Sequence, residues 1–333
     1  MDAQNSGFPR LLGDVGGTNA RWAWQAAPAA PLSAIRSLAA ADHASIGECI
    51  AAYLAQQQLP VPRDVAFGIA TAVTGDAVRM TNHPWSFSID GLRRQLGAQR
   101  LRVLNDFEAL AYAVPALRPE DRMEIGRGKA VDGAALAVIG AGTGLGVSGL
   151  VADGCGGWRV VAGEGGHVTL AAANAREAAL LAMLRSRFGH VSAERALSGP
   201  GLVNLYEAVC ALDGVAVLAL APAQVMARAF GDHEDAAADA QCAEALSTFA
   251  ALLGTVAGNL ALTLGARGGV FIGGGIVPRL GARFAQLPFR ARFDDKGRFG
   301  DYMRAIPTWV ITSESPALVG AARALDAWST TRA

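Results

Sequence analysis

Apolar and polar positions fall in blocks along the chain, and two of the blocks share one design. Leu11 and Leu12 enter an apolar run, the stretch Gly13 to Asn19 interrupts it, and Ala20 to Gln25 resume it, which predicts strand, turn, strand. Over 135–151 the order recurs: ALAVIG leads into GAGTGLG, and VSGLV leaves. The recurrence predicts two lobes built alike, each offering a backbone turn to a shared cleft, although two unrelated glycine hairpins would look the same. Short apolar runs at 65–70 (VAFGIA) and 101–104 (LRVL) predict two more strands. The second runs straight into Asn105-Asp106. Beyond it Phe107, Leu110, Ala111 and Val114 keep helical spacing, and Pro115 ends or kinks the helix.

The later chain reads mainly as helix. Asn174 and Glu177 make a capping-box pattern, Leu180, Leu181, Leu184 and Phe188 line one face, and Gly189 stops the helix. Ser198-Gly-Pro-Gly opens another, with Leu202, Leu205, Tyr206 and Val209 on its apolar side. Residues 212–240, rich in Ala and mixed in charge, predict helical surface. A buried helix over 244–264 precedes GGVFIGGGIVPRL, a strand ending in a glycine turn. The charge-free stretch 248–266 is long enough to cross a membrane. Its glycines and Asn259 fit a buried helix with close neighbours instead, and no second span or basic flank accompanies it, so no membrane partner is expected. Strands mixed with long helices predict α/β architecture.

Composition narrows the classes. The 333 residues suffice for two domains, and 52% hydrophobic with 17% charged residues fills a large core and excludes a mainly disordered chain. A formal net charge of zero gives no global field to recruit nucleic acid or an anionic membrane. Cys49, Cys155, Cys210 and Cys242 are scattered without a CxxC pair, which argues against a disulfide framework or structural zinc and for small buried apolar residues in a reducing compartment. Met1 to Arg10 carries Asp2 and lacks the apolar core of a secretory signal, so a cytoplasmic location is expected.

Three glycine-rich turns carry the candidate chemistry: Gly13-Asp-Val-Gly-Gly-Thr18, Gly140-Ala-Gly-Thr-Gly144 and Gly273-Gly-Gly275. Glycine lets backbone N–H groups approach phosphate oxygens without a Cβ clash. An ordinary tight hairpin would also explain each turn taken singly. No GxxxxGK[ST] occurs, neither Lys129 nor Lys296 lies in such a turn, and no GxGxxG is completed within 140–146. A P-loop enzyme and a dinucleotide-binding fold are therefore disfavoured. Asp14 among phosphate-binding amides makes sense if Mg²⁺ accompanies the phosphates, since that ion favours carboxylate oxygens and retains water; capping of a local turn is the alternative. Thr18 can add a hydroxyl donor.

Taken together, DVGGTNAR (14–21), TNHPWSFSI (81–89), LNDFEAL (104–110), GAGTGLG (140–146), GEGGHV (163–168), HVSAERALSGPGLVNLY (190–206), AGNLALTLG (257–265), GGVFIGGGIVPR (268–279) and DDKGRF (294–299) resemble, in order and over most of the chain, the bacterial glucokinase family. That family shares the two-lobed actin-like ATPase (ribonuclease H-like) fold of hexokinases. The resemblance implies a smaller α/β lobe of residues 1–117 with about 308–333 returning to it, a larger lobe of 118–307, and a homodimer. It implies transfer of the ATP γ-phosphoryl group to the 6-hydroxyl of glucose, the entry step of glycolysis, with Mg²⁺. Asp106 would be the catalytic base, and Asn105, Asp106, Glu164, His167 and Glu194 would line the sugar. Gly13, Asp14, Val15, Gly16, Gly17, Thr18, Gly142, Thr143 and Gly144 would hold phosphates and metal, with Asp14 reaching Mg²⁺ through water, and Gly274 and Gly275 would approach the adenosine.

The residue types suit that task. A sugar offers many hydroxyls and no charge, so a selective pocket pairs carboxylates, an amide and an imidazole with them. Phosphoryl transfer depends on positioning and charge neutralisation, and a carboxylate at a helix N-terminus stays ionised as a modest base. Without the resemblance, Asn105-Asp106 would read as a helix cap, Glu164 as a turn residue, His167 as a half-buried hydrogen-bonded histidine and Glu194 as a surface acid. His83 lies in the TNHPWSF loop as a candidate neighbour of the sugar, where Trp85 is read as core; His43, His190 and His233 gain no role. Pro84 and the 212–240 region depart from the family pattern without removing a carried-over residue. No Cys-rich zinc motif follows His167, and with thirteen residues before Asp14 no DNA-binding helix-turn-helix is expected, unlike in the wider group's regulators. Three alternatives stay open: a kinase for mannose or fructose, an actin-like switch ATPase without sugar chemistry, and a catalytically weak sugar sensor.

Overall fold

The computed structural model describes residues 7–232 and 239–330; His233 and the 233–238 part of the expected surface helix lie outside the described residues. Along the chain run β1 (Arg10–Val15), β2 (Asn19–Gln25), β3 (Ser33–Ala39), α1 (Ile46–Gln56), β4 (Asp64–Ile69), β5 (Ala77–Arg79), β6 (Ser86–Ser88), α2 (Ile89–Gln95), β7 (Arg100–Asn105) and α3 (Asp106–Ala113). There follow β8 (Arg122–Gly126), β9 (Leu136–Ala141), β10 (Leu145–Ala152), β11 (Trp158–Gly163), α4 (Ala175–Phe188), α5 (Gly199–Asp213), α6 (Pro222–Ala229) and α7 (Ala240–Leu264). The last elements are β12 (Gly269–Gly274), α8 (Val277–Leu280), α9 (Phe289–Asp294), α10 (Gly300–Arg304), β13 (Thr308–Ile311) and α11 (Pro316–Thr330). The chain divides into two compact units, Met1–Arg118 with Asp153–Ala162 and Ser313–Ala333, and Pro119–Ala152 with Gly163–Thr312. Thr308–Ile311 is hydrogen-bonded between β12 and β8, so the return to the first unit begins at Ser313 rather than near 308.

In the first unit a five-stranded sheet has the order β3-β2-β1-β4-β7. β1, β4 and β7 are parallel, and β2 and β3 are antiparallel additions. Alternate residues of β1 feed opposite faces. Leu11 joins Trp22, Phe67, Ile50 and Tyr53 on one side, whereas Leu12 joins Ala66, Leu318, Ala321 and Leu325 of α11 on the other. Covering both faces is why β1 and β4 read as continuous apolar runs. α11 also crosses α3 closely: a Cβ on Gly320 would lie 1.7 Å from the Ala109 carbonyl oxygen. Only a glycine permits that approach.

In the second unit the strands run in the order β10-β9-β12-β13-β8. α7, whose most apolar window is 67% buried, is this unit's core helix, so the charge-free stretch is explained by packing. Its Gly254 and Gly258 let α9 press in; a Cβ on Gly258 would sit 3.0 Å from the Phe293 carbonyl oxygen. α7 begins at Ala240, earlier than the predicted 244, because Asp239 caps it through the Cys242 N–H at 3.0 Å. Among the described residues of the predicted helical surface over 212–240, helix is found at its start, over α6 and at Ala240. Gly214, with φ of 68°, closes α5, and the β-branched Val215 and Val217 follow in a segment outside helix and strand until Pro222 opens α6.

Candidate active site

β1 continues through Val15, so Gly13, Asp14 and Val15 are strand residues and the turn proper is Gly16 to Thr18, closed by Gly16 N–H donating to the Asn19 carbonyl at 2.9 Å. The apolar pattern missed this because Gly13 is the place where Trp22 and Phe67 pack over the strand; a Cβ there would lie 2.7 Å from Phe67 Cβ. Gly17 is also required by space: its missing Cβ would be 2.9 Å from the Asn82 carbonyl oxygen. Asp14 is half-buried and stands across from Arg21 in the β1–β2 register. Burial pushes its carboxyl above the ordinary 3.8, with the Arg21 charge pulling the other way.

Val15 on β1, Ile69 on β4 and Asn105 on β7 are in register, so three parallel strands end together. Ligands of open α/β sheets bind outside such carboxyl ends. Asn105 caps α3 as the Asn-Asp pair predicts, its side-chain oxygen accepting the Phe107 N–H at 2.9 Å. Its side-chain amide donates to the Thr71 carbonyl at 3.2 Å. Asp106 is the first residue of α3, and its carboxylate accepts the same Phe107 N–H at 2.9 Å. Gly68 on β4 lets α3 lie close, since a Cβ there would be 2.9 Å from Ala109 Cβ and 3.4 Å from Asp106 Cα. Asp14, Asn105 and Asp106 thus gather at one end of one sheet.

The second unit gathers the other predicted residues. Gly142, Thr143 and Gly144 form the turn between β9 and β10, with Gly142 N–H donating to the Gly144 carbonyl at 2.8 Å. The Gly142 carbonyl accepts from Gly199 N–H, the first residue of α5, also at 2.8 Å. Gly274, with φ of 80°, and Gly275 abut this turn; Gly275 N–H donates to the Ala141 carbonyl at 2.9 Å, and Gly140 meets the backbone of Gly273. Glu194 is not a solvated surface acid: its carboxylate accepts the Leu145 N–H at 2.9 Å and fills the space a Gly144 side chain would need.

Glu164 and His167 are exposed at the two ends of a tight turn, with His167 N–H donating to the Glu164 carbonyl at 3.0 Å. Gly165 and Gly166 seat that turn on β10 at Val147 and Leu145. Ala193 N–H donates to the Val168 carbonyl at 2.8 Å, which sets the His167 turn beside the Glu194 segment. Trp85 is core, as read, and donates to the His43 carbonyl at 3.0 Å. Sequence reasoning missed Thr71, Gly68 and Gly199. The glycine inside VAFGIA and the SGPG helix start were signals for two of them.

Among the described residues no three His, Cys, Asp or Glu side chains form a metal-holding group. A lone half-buried carboxylate beside a phosphate-type turn fits Mg²⁺, which keeps most of its waters and takes one or two carboxylates with phosphate oxygens.

A family model described as Glucokinase matches residues 11–328. The chain is 56% identical over 321 residues to the glucokinase of Aromatoleum aromaticum, covering 96% of this chain and 95% of that protein. The crystal structure of a glucokinase from an Antarctic psychrotroph superposes with a TM-score of 0.84 at 35% identity, covering 96% of this chain and 98% of that one. A glucokinase of the ROK family from Streptomyces griseus, solved in complex with glucose and AMPPNP, shares the fold at a TM-score of 0.61 and 19% identity, covering 94% of this chain and 98% of that one.

Proposed function

The chain belongs to the glucokinase family, and from that premise we propose how its own residues carry out phosphoryl transfer. It has the two-lobed actin-like ATPase fold and is an ATP-dependent hexokinase-type kinase that converts glucose to glucose 6-phosphate with release of ADP. Asp106 is the group that orients the 6-hydroxyl and takes its proton. The oxygen so released forms its bond to the γ-phosphorus as the bridging bond to ADP breaks. The supporting observation is the junction of β7 and α3, where Asn105 and Asp106 stand together at the carboxyl ends of parallel strands. A loose transition state asks little basicity of the acceptor, so a carboxylate at a helix N-terminus suffices.

Asn105, Glu164, His167 and Glu194 pair with the sugar hydroxyls. Glu194 spends one oxygen on the Leu145 N–H and offers the other to a hydroxyl. Backbone amides of Gly16 to Thr18 and Gly142 to Gly144 cradle phosphate oxygens, and Gly274 and Gly275 face the adenosine. Asp14 would hold Mg²⁺, which would supply charge neutralisation at the phosphate oxygens. We place the enzyme in the cytoplasm as a homodimer feeding glycolysis.

The test is ADP release from Mg-ATP with glucose, mannose, fructose or no sugar, with the product identified by mass and phosphorus NMR. Glucose-dependent release with a 6-phosphate product is the expected result. A preference for mannose or fructose would reassign the sugar. Release indifferent to any sugar would overturn the reading and favour a switch ATPase.

A further inference from the structure

β5 and β6 form a small hairpin, closed by Met80 N–H donating to the Trp85 carbonyl at 3.0 Å, with Thr81 to Pro84 at its tip. Three ties hold this tip. Trp85 is buried and donates to the His43 carbonyl at 3.0 Å. Asn82 presses on the phosphate-type turn, its carbonyl oxygen 2.9 Å from where a Gly17 Cβ would stand. The third tie is Thr71. Its hydroxyl donates to the Arg79 carbonyl at 3.2 Å and meets the Thr81 hydroxyl at 3.1 Å, with its proton committed to Arg79, so Thr81 is the donor of that second bond.

Thr71 has a second set of partners. Its carbonyl accepts the Asn105 side-chain amide at 3.2 Å, and the preceding Ala70 N–H donates to the Val15 carbonyl at 3.2 Å. One residue therefore joins the hairpin tip to Asn105 and lies one peptide from a tie to β1. The tip, Asn105 and the Gly16–Thr18 turn all meet at the carboxyl ends of β1 and β7. Thr71 itself lies just past β4 and is only partly buried, so core packing does not account for its two hydroxyl bonds.

We propose that Thr71 is a positioning residue for sugar phosphorylation: through its hydroxyl pair with Thr81 it fixes the 79–84 hairpin against the peptide that aims the Asn105 amide at the sugar. This rests on the glucokinase reading above. The hydroxyl acts on substrate binding through Asn105 and the hairpin tip and touches no reacting atom.

The test compares the wild-type chain with Thr71→Val, Thr71→Ser, Thr81→Val and the Thr71→Val/Thr81→Val pair, measuring KM for glucose, kcat and melting temperature. Valine keeps the shape of threonine and removes only the hydroxyl. A neutral hydrogen bond of ordinary strength corresponds to about a three- to tenfold rise in KM for glucose in Thr71→Val, with kcat at saturating glucose within about twofold. Thr71→Ser should restore the wild-type KM. Thr81→Val should reproduce part of the rise, and the double variant should fall short of the product of the two single effects. An unchanged KM in Thr71→Val, a melting shift without a KM shift, or no rescue by serine would overturn the proposal. Absence of glucose-dependent turnover in the wild-type protein would instead overturn the glucokinase reading, which separates the two failures.

Discussion

Gly320→Ala turns a packing detail into a kinetic measurement. A Cβ at that position would sit 1.7 Å from the Ala109 carbonyl oxygen and 2.7 Å from its carbon. Carbon and oxygen approach no closer than about 3.3 Å, so α11 and α3 must separate by about 1.5 Å. Ala109 lies one helical turn after Asp106, and α3 also rests on β4 at Gly68, where its Ala109 Cβ has no spare room. The displacement is therefore carried to the carboxylate rather than absorbed between the helices. Overpacking of this kind costs about 1–3 kcal/mol of stability, and a misplacement of about 1 Å costs roughly a hundredfold in rate. The expected outcome is a lower melting temperature together with a kcat reduced by about two orders of magnitude. Assays run well below the melting transition, with glucose binding followed by calorimetry, separate a misplaced Asp106 from an unfolded protein. A Gly320→Ala enzyme that loses stability yet keeps kcat within about threefold would refute the link between α11 and Asp106. One that keeps both would refute the steric argument itself.

Two further predictions concern the proposed base and a buried ion pair. Asp106→Ala should lower kcat by about 10²–10⁴-fold with glucose binding largely retained, checked by turnover and calorimetry; near-normal turnover would remove Asp106 from the base role. Glu177→Ala should cost about 3–5 kcal/mol in urea unfolding at pH 7, because it strands the mostly buried Arg292 guanidinium that hydrogen-bonds to both Glu177 oxygens and to Thr255. Burial alone would push the Glu177 carboxyl up, but hydrogen bonds from Arg292, the Ala173 N–H and Asn174, with the Arg292 charge, hold it below the ordinary 4.5. A carboxyl lowered in the folded state stabilises fully above its unfolded value and loses that contribution as pH falls through the folded value. The gap between wild type and Glu177→Ala should therefore be constant from pH 7 to about 5 and shrink below about 4.5; a gap that grows on acidification would contradict the pairing.

Much of this site was legible because its signals are local. Continuous apolar runs named β1, β4 and β7, and an Asn-Asp pair between a strand and a helical pattern named the start of α3. Ser198 and Asn174 cap α5 and α4 as their spacing implies, accepting from Gly201 and Glu177 N–H groups. What stayed hidden depends on partners far along the chain. Glu177 reads as half of a capping box, but its carboxylate turns to Ala173 N–H and to Arg292, 115 residues away. Gly68 and Gly320 look like helix or strand weaknesses until the α3 backbone is seen against them. Glu194 reads as a surface acid because nothing local announces the Leu145 N–H it accepts. The 212–240 stretch misled because alanine content suggests helix, whereas Gly214 and two β-branched valines set the backbone.

The packing of α11 on α3 also orders events during synthesis. α3 emerges from the ribosome early, but the helix that covers it is the last element described, and Leu318, Ala321 and Leu325 complete the face that begins with Leu12 and Ala66. A nascent chain paused before Pro316 carries every proposed phosphate and sugar ligand, yet Leu12 and Ala66 lack the cover of Leu318, Ala321 and Leu325, and α3, which opens with the proposed base, lacks α11 beside it. The protein therefore acquires its chemistry only when translation has passed α11. Loss of that final helix, whether by premature termination or by a protease, should silence the enzyme while leaving every residue of the proposed site in the sequence.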